Sequence, residues 1–249
     1  MRSHPLRLLL LLACMLASPA RSAEPEPLSI SVRGKPCSAL LLRPPDARAL
    51  LVLAHGQIMN IHHPFMEAMS AALARRGIAT LRFNFPYAEA KLSQPDPGPL
   101  LIASIQAAAR EGERLRRGLP LLVGGKSAGG MMAARAARDG LLPGTQGVVV
   151  LGYPLHPPGR PSGVNARAVV GVKLPILFVQ GTRDPLADPK LITGLVEQIG
   201  RNATLHQVRG ADHAFALPEG DARTQEEVYE GIADAIASFA ATLAPSHGG

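Results

Sequence analysis

Apolar residues run along this chain in short unbroken stretches that alternate with stretches of helical spacing. The first such run is Ala49–Ala54, which contains no polar position. A strand with one wet face would alternate apolar and polar, so an unbroken run predicts a strand covered on both faces. Pro64–Arg76 then carries apolar residues at helical spacing and is closed by Gly77, a C-terminal stop. The series continues with strand Ile78–Phe85, helix Leu100–Arg117 stopped by Gly118, strand Leu121–Gly124, helix Ala128–Asp139 and strand Gly147–Leu151. Strand Ile176–Gln180, helix Pro189–Ile199, strand Thr204–Val208 and a last helix over Thr224–Leu243 complete it. Two short strands, Leu28–Val32 and Ser38–Leu42, precede the series, with a turn around Gly34 between them. Alternation on this scale predicts an α/β fold built on a doubly wound, mostly parallel sheet with flanking helices. Residues 28–244 read as a single domain and residues 245–249 as a tail. The only long irregular stretch, Gly152–Leu174, is too short for a large lid, so an open pocket is expected.

The amino terminus follows a different pattern. Arg2 and Arg7 precede an apolar run from Leu8 to Ala17, and small residues follow at Ser18, Ala20, Ser22 and Ala23. That order is the one of a secretory signal peptide. The run falls short of the roughly 20 apolar residues that a bilayer span needs. Cleavage is expected after Ala20, with Ala23 as the alternative; cutting there would set Arg21 where a small residue is wanted. Leu11-Leu12-Ala13-Cys14 loosely resembles a lipobox and offers a second reading, lipid anchoring at Cys14. Export to a bacterial periplasm or the medium is the expectation. Residues 21–27, rich in Pro and Glu, read as a flexible leader. Without residues 1–20 only Cys37 remains, so no intramolecular disulfide can form.

Composition and charge narrow the function. With 47% hydrophobic and 18% charged residues, the chain is globular in composition. Aromatic residues make up only 4% and Trp is absent, so the core must rest on Leu, Val, Ile and Ala. The formal charge is +7, and losing residues 1–20 removes two Arg and no acid, which leaves +5. The excess falls on predicted helices, at Arg75-Arg76, Arg114, Arg116-Arg117, Arg135 and Arg138. Without interleaved aromatics these are solvated helix faces, so no nucleic-acid partner is expected. Nor is a stable membrane span. A small-molecule acyl substrate is the expected partner, for the following reason.

Gly125-Lys126-Ser127-Ala128-Gly129 has the Gly-x-Ser-x-Gly form and lies between a predicted strand and a predicted helix. In that setting the serine sits on a tight, strained turn, its hydroxyl raised above the sheet edge at a helix amino end. The N–H of Ala128 can there face a developing oxyanion. A serine hydroxyl needs a base. Of eight histidines, His213 is the best placed, in the loop between the last strand and the last helix. The imidazole needs an acid to orient it. Asp184, just beyond strand Ile176–Gln180, is the candidate; Asp212 reads as a loop-shaping residue and Asp188 as a helix N-cap. The order Ser127, Asp184, His213 is the one α/β-hydrolases use. The loop after Ala54 should give a second oxyanion donor, and the N–H of Gln57 is the natural one. His55, His62 and His63 match no standard zinc spacing, and His55 reads as a loop-packing residue. Lys126 either pairs with an acid or points to solvent. No metal or organic cofactor is expected.

Several segments occur in order: Ala54-His55-Gly56, Phe83-Asn84-Phe85-Pro86-Tyr87, Gly124 to Gly130, Leu151-Gly152-Tyr153-Pro154-Leu155-His156-Pro157-Pro158-Gly159 and Phe178 to Asp184. Together they resemble the dienelactone-hydrolase-like α/β-hydrolases, in particular the branch of the testis-expressed and NSL-complex-subunit-three-like proteins with their bacterial relatives. The resemblance runs from about Leu50 to Phe239. It implies the α/β-hydrolase fold and Ser127, Asp184 and His213 as a triad. Gln57-Ile58-Met59-Asn60 departs from the branch, which usually continues His-Gly with small residues. The expected activity is that of a carboxylesterase-like serine hydrolase acting on an ester or thioester through an acyl-Ser127 intermediate. The alternatives are a non-enzymatic binding or scaffold protein that keeps the fold, and a small peptidase of related fold.

Overall fold

A computed structural model describes residues 24–243. The expected signal peptide, its cleavage sites, the lipobox reading of Cys14 and the 245–249 tail lie outside the described residues. Eight strands form one sheet in the order β1-β2-β4-β3-β5-β6-β7-β8. They are β1 (Glu26–Val32), β2 (Lys35–Leu42), β3 (Ala49–Ala54), β4 (Ile78–Phe83), β5 (Leu121–Lys126), β6 (Gly147–Leu151), β7 (Ile176–Gly181) and β8 (Ala203–Val208). The six strands from β3 onward are mutually parallel; β1 and β2 add an antiparallel pair at one edge.

Every residue of β3, β4, β5, β6 and β7 is buried, as their largely apolar sequences predict, and the polar Thr80, Arg82, Lys126 and Gln180 are buried with them. The pleat divides their side chains between two cores. Leu50, Val52 and Ala54 face helices α3 (Gly98–Leu115), α4 (Ala128–Arg138) and α5 (Pro189–Ile199). Ala49, Leu51 and Leu53 face α1 (Pro64–Ala74) and α6 (Gln225–Ala241). Capping matches the sequence locally: Asp188 accepts from the N–H groups of Lys190 and Leu191 at the start of α5. Thr224 and Glu227 form a capping box on α6.

Several boundaries differ from the sequence expectation, and a proline marks two of them. The strand β1 begins at Glu26, inside the stretch read as leader, with Pro27 paired to Leu40. Proline is tolerated there because β1 is an edge strand. The strand β4 stops at Phe83, and Pro86 opens a one-turn helix, α2 (Pro86–Glu89), where a strand end had been expected. Proline suits the first helical position because its missing N–H has no helical partner.

The sheet order locates the site. From β3 the chain passes to β4 on one side, then returns across β3 to place β5 on the other. The carboxyl ends of β3 and β5 therefore flank the point where the strand order reverses, and ligands of open α/β sheets bind in that crevice. His55-Gly56-Gln57 follows β3 there, and Ser127 follows β5.

Candidate active site

Ser127 stands between the end of β5 and the start of α4 with φ 50° and ψ −119°. A non-glycine residue at positive φ is held there only by its surroundings. Glycines supply them. A Cβ on Gly125 would come within 2.5 Å of the Ala54 carbonyl oxygen, and one on Gly129 would drive into the carbonyl of His55. Only hydrogen at these positions lets strand and helix close on the turn. The N–H of Ser127 donates to Leu151 O on β6 at 2.9 Å, which fixes the turn to the neighbouring strand.

His213 and Asp184 arrive from the ends of β8 and β7. Ser127 Oγ and His213 Nε2 are 2.9 Å apart, and His213 Nδ1 and Asp184 Oδ2 are 2.7 Å apart. A buried carboxylate opposite Nδ1 assigns the proton to that nitrogen and leaves Nε2 free to accept from the serine hydroxyl. The Asp184 side chain is fully buried. Its Oδ1 accepts from the N–H of Leu186 at 2.8 Å, and Oδ2 also accepts from Gln180 Nε2. Asp212 turns away from the imidazole: its Oδ1 accepts from the N–H groups of Ala214 and Ala216, both at 2.8 Å, and so folds the loop that presents His213.

On the other side of Ser127, three donors converge on the carbonyl of Gly56: His55 Nδ1 at 2.8 Å, Tyr87 Oη at 3.3 Å and Met59 N at 3.3 Å. In a trans peptide the following N–H points opposite to the carbonyl. Holding Gly56 O therefore aims the N–H of Gln57 the other way, and among the described residues it meets no protein acceptor. The N–H of Ala128, first in α4, has no helical partner either. Both residues border an apolar cavity of about 110 Å³ whose other walls include Phe85, Leu101, Met131 and Met132.

The three upstream histidines have separate tasks. His55 is buried, stands edge-on to Phe85 and Tyr87 and accepts from the N–H of Phe85 at 3.2 Å. Burial pushes its pKa down to about 4, so it is neutral. His63 caps α1 by accepting from the N–H of Phe65, and His62 lies at the surface 3.4 Å from Glu67. Among the described residues no group of three or more metal-ligating side chains converges.

Two positioning groups carried no role in the sequence reading. Gln180 accepts from the N–H of Tyr153 through Oε1 at 2.8 Å while its amide reaches Asp184. His156 donates its N–H to Leu186 O at 3.0 Å, and its Nε2 accepts from the N–H of Asp188 at 2.8 Å. The Tyr153–Gly159 segment is thereby tied to the turn that carries Asp184. A lone Gln inside the apolar run Ile176–Gly181 was the available sign. Lys126 takes neither expected form. It is buried, and its Nζ donates to the carbonyl of His213 at 2.6 Å.

The alpha/beta hydrolase domain family matches residues 47–241. The chain belongs to that family. Among solved structures, this α/β hydrolase is similar to a dienelactone hydrolase from Anabaena variabilis at 20% identity and TM-score 0.71, covering 90% of this chain and 99% of that one. Est1E from Butyrivibrio proteoclasticus, described with bound ferulic acid, gives 17% identity and TM-score 0.68 over 87% of this chain and 98% of its own. A serine hydrolase without lid from Xanthomonas campestris gives 19% identity and TM-score 0.66 over 93% and 100%. The fold is dienelactone-hydrolase-like, and among the described residues no lid covers the site. Family and neighbours together support hydrolase activity.

Proposed function

We propose that this α/β hydrolase cleaves esters or thioesters of small acyl groups through an acyl-Ser127 intermediate. The observation that carries the reading is the unbroken chain from Ser127 Oγ to His213 to Asp184, at 2.9 and 2.7 Å. His213 Nε2 takes the hydroxyl proton as Oγ bonds to the acyl carbon. The negative charge on the former carbonyl oxygen is met by the N–H groups of Gln57 and Ala128. Collapse breaks the bond to the leaving oxygen or sulfur, which receives the proton from His213. Water then loses a proton to His213 and attacks the acyl carbon, and Ser127 leaves with that proton restored. Asp184 keeps the imidazole in its tautomer and stabilises the cation at each step.

The cavity beside Gln57 and Ala128 supports a short acyl group. A dry cavity of about 150 Å³ holds one benzene; about 110 Å³ therefore suits an acyl chain of roughly four carbons on the same scale. The exposed Ile58, at φ 57° and 84% accessible, stands on the adjoining turn. The basic, apolar, small-residue order of residues 1–23 supports export of the enzyme, and the mass of the mature protein tests it.

A fluorophosphonate probe tests the chemistry. Labelling that disappears in Ser127→Ala, together with turnover of short-chain p-nitrophenyl esters, is expected. Folded protein that neither labels nor turns over any ester or thioester would sink the reading and favour a binding protein. A preference for peptides over esters would favour a peptidase.

A further inference from the structure

Lys126 is the second residue of the Gly-x-Ser-x-Gly segment, yet its side chain leaves the reacting face and runs beneath the loop that carries His213. The residue is 1% exposed. Its ammonium nitrogen lies 5.2 Å from the ring centre of Phe215 and 5.9 Å from that of Phe65, within the range of a cation–π contact. Gly152 closes the same space: a Cβ there would sit 2.8 Å from Nζ. Against these three walls the ammonium makes one hydrogen bond among the described residues, 2.6 Å to the carbonyl oxygen of His213 itself.

Burying an ammonium is costly unless it is paired. Among the described residues no carboxylate touches this one. The charges that favour it act at longer range, Asp184 from the turn after β7 and Asp212 from the loop after β8. The remaining groups packed around it, Phe65 on α1, Phe215 beside His213 and Gly152 after β6, are uncharged. A methionine or leucine would fill the space at lower cost, so the amine needs another explanation. The loop it holds supplies one. Phe215 adopts φ 63°, a conformation that bulky residues avoid, and its ring is fully buried and stacked 6.0 Å from Phe65. A strained loop must hold an imidazole within hydrogen-bond reach of Ser127.

We propose that Lys126 is a positioning residue for His213: its ammonium grips the backbone of the general base from below and fixes the distance from Nε2 to Ser127 Oγ. The assignment rests on the acyl-serine reading for its consequence in turnover, but not for the grip itself. Desolvation lowers the Lys126 pKa to about 8, so the grip weakens as pH rises through that value. A displacement of about 1 Å costs a reacting pair on the order of 100-fold.

The test compares wild type with Lys126→Met, which keeps the bulk, and Lys126→Gln, which keeps a donor without the charge. Lys126→Met should lose about 10- to 100-fold in kcat with KM changed less than about threefold. It should melt no lower than wild type at pH 7, because the buried charge is gone. Lys126→Gln should recover part of kcat. Wild-type kcat should fall above about pH 8, whereas the two variants should lack that limb. Amide exchange over residues 210–216 should quicken in Lys126→Met whether or not any substrate is turned over. Unchanged kcat, pH profile and exchange would overturn the assignment, as would a loss of kcat that merely tracks a loss of folded protein. If wild type fails to label with fluorophosphonate but exchange still quickens, the hydrolase reading fails and the grip stands. If Lys126→Met fails to fold, Lys126→Gln carries the same comparison, and unchanged kcat and exchange over residues 210–216 in that variant overturn the assignment.

Discussion

Gln180 donates from Nε2 to Oδ2 of Asp184 at 2.5 Å, and the same oxygen faces Nδ1 of His213. Two donors on one oxygen and the Leu186 N–H on the other hold the carboxylate against the imidazole. Replacing Gln180 by Leu removes one donor and orphans the Tyr153 N–H, which Oε1 now accepts. In the proposed mechanism Gln180→Leu should lower kcat by roughly 10- to 100-fold, and Asp184→Asn by roughly 10⁴-fold, because the latter disturbs the tautomer itself. Steady-state kinetics on p-nitrophenyl acetate would show the ranking; equal losses would contradict it.

Asp212 separates loop folding from chemistry. Its Oδ1 serves two backbone N–H groups, so Asp212→Ala should destabilise the protein by about 1–3 kcal/mol. Its effect on kcat should be smaller than that of Asp184→Asn. Urea titration and kinetics on the same preparation give both numbers. A larger kcat loss in Asp212→Ala would make it the acid partner.

His55 predicts a dependence on acid. Its pKa is about 4 in the fold against 6.5 for the free side chain, so the unfolded chain binds the extra proton between those values. The associated stability is fully present above about pH 6.5 and is lost as pH falls toward 4, in total on the order of 3 kcal/mol. A series of urea midpoints from pH 7 to 4.5 should show the decline in wild type and a shallower one in His55→Asn. Parallel slopes would rule His55 out as the source.

Much of this was legible in the sequence, and the reasons are specific. Largely apolar runs marked the central strands because a doubly covered strand admits a polar side chain only where a partner satisfies it, as at Lys126 and Gln180. Ser127, Asp184 and His213 were legible because each stands just past a strand end, and in a parallel sheet such ends share one edge. Asp188 and Asp212 were told apart from Asp184 by their local surroundings. The remainder depends on distances that a linear pattern does not carry. Lys126 looks like any surface lysine until Phe65 on α1 and the loop of His213 and Phe215 are brought around it from two distant segments. Nor does the sequence announce that His55 and Tyr87 converge on one carbonyl, or that Pro86 ends β4 early. The signal-like leader is read from sequence only.

In the proposed mechanism the cavity beside the N–H groups of Gln57 and Ala128 sets a chain-length limit. Met132, 8% exposed, forms part of its wall. Met132→Ala should move the preferred acyl chain up by about two carbons and raise kcat/KM for the longer ester several-fold. A panel of p-nitrophenyl esters from acetate to decanoate reads the optimum directly. An optimum at eight or more carbons in wild type would place the acyl group elsewhere.

The ties from His156 to Leu186 and Asp188, and from Gln180 to Tyr153, make the segment after β6 and the turn after β7 a single truss. For anyone reshaping this enzyme, the pair is the smallest transplantable part. A foreign segment grafted between Gly152 and Leu174 without a histidine in place of His156 leaves the Asp188 N–H without its acceptor, and so disturbs the turn that carries Asp184. On the proposed mechanism, substrate range is therefore better altered from the side of Gln57 and Met132, where the wall can change while the truss stays whole.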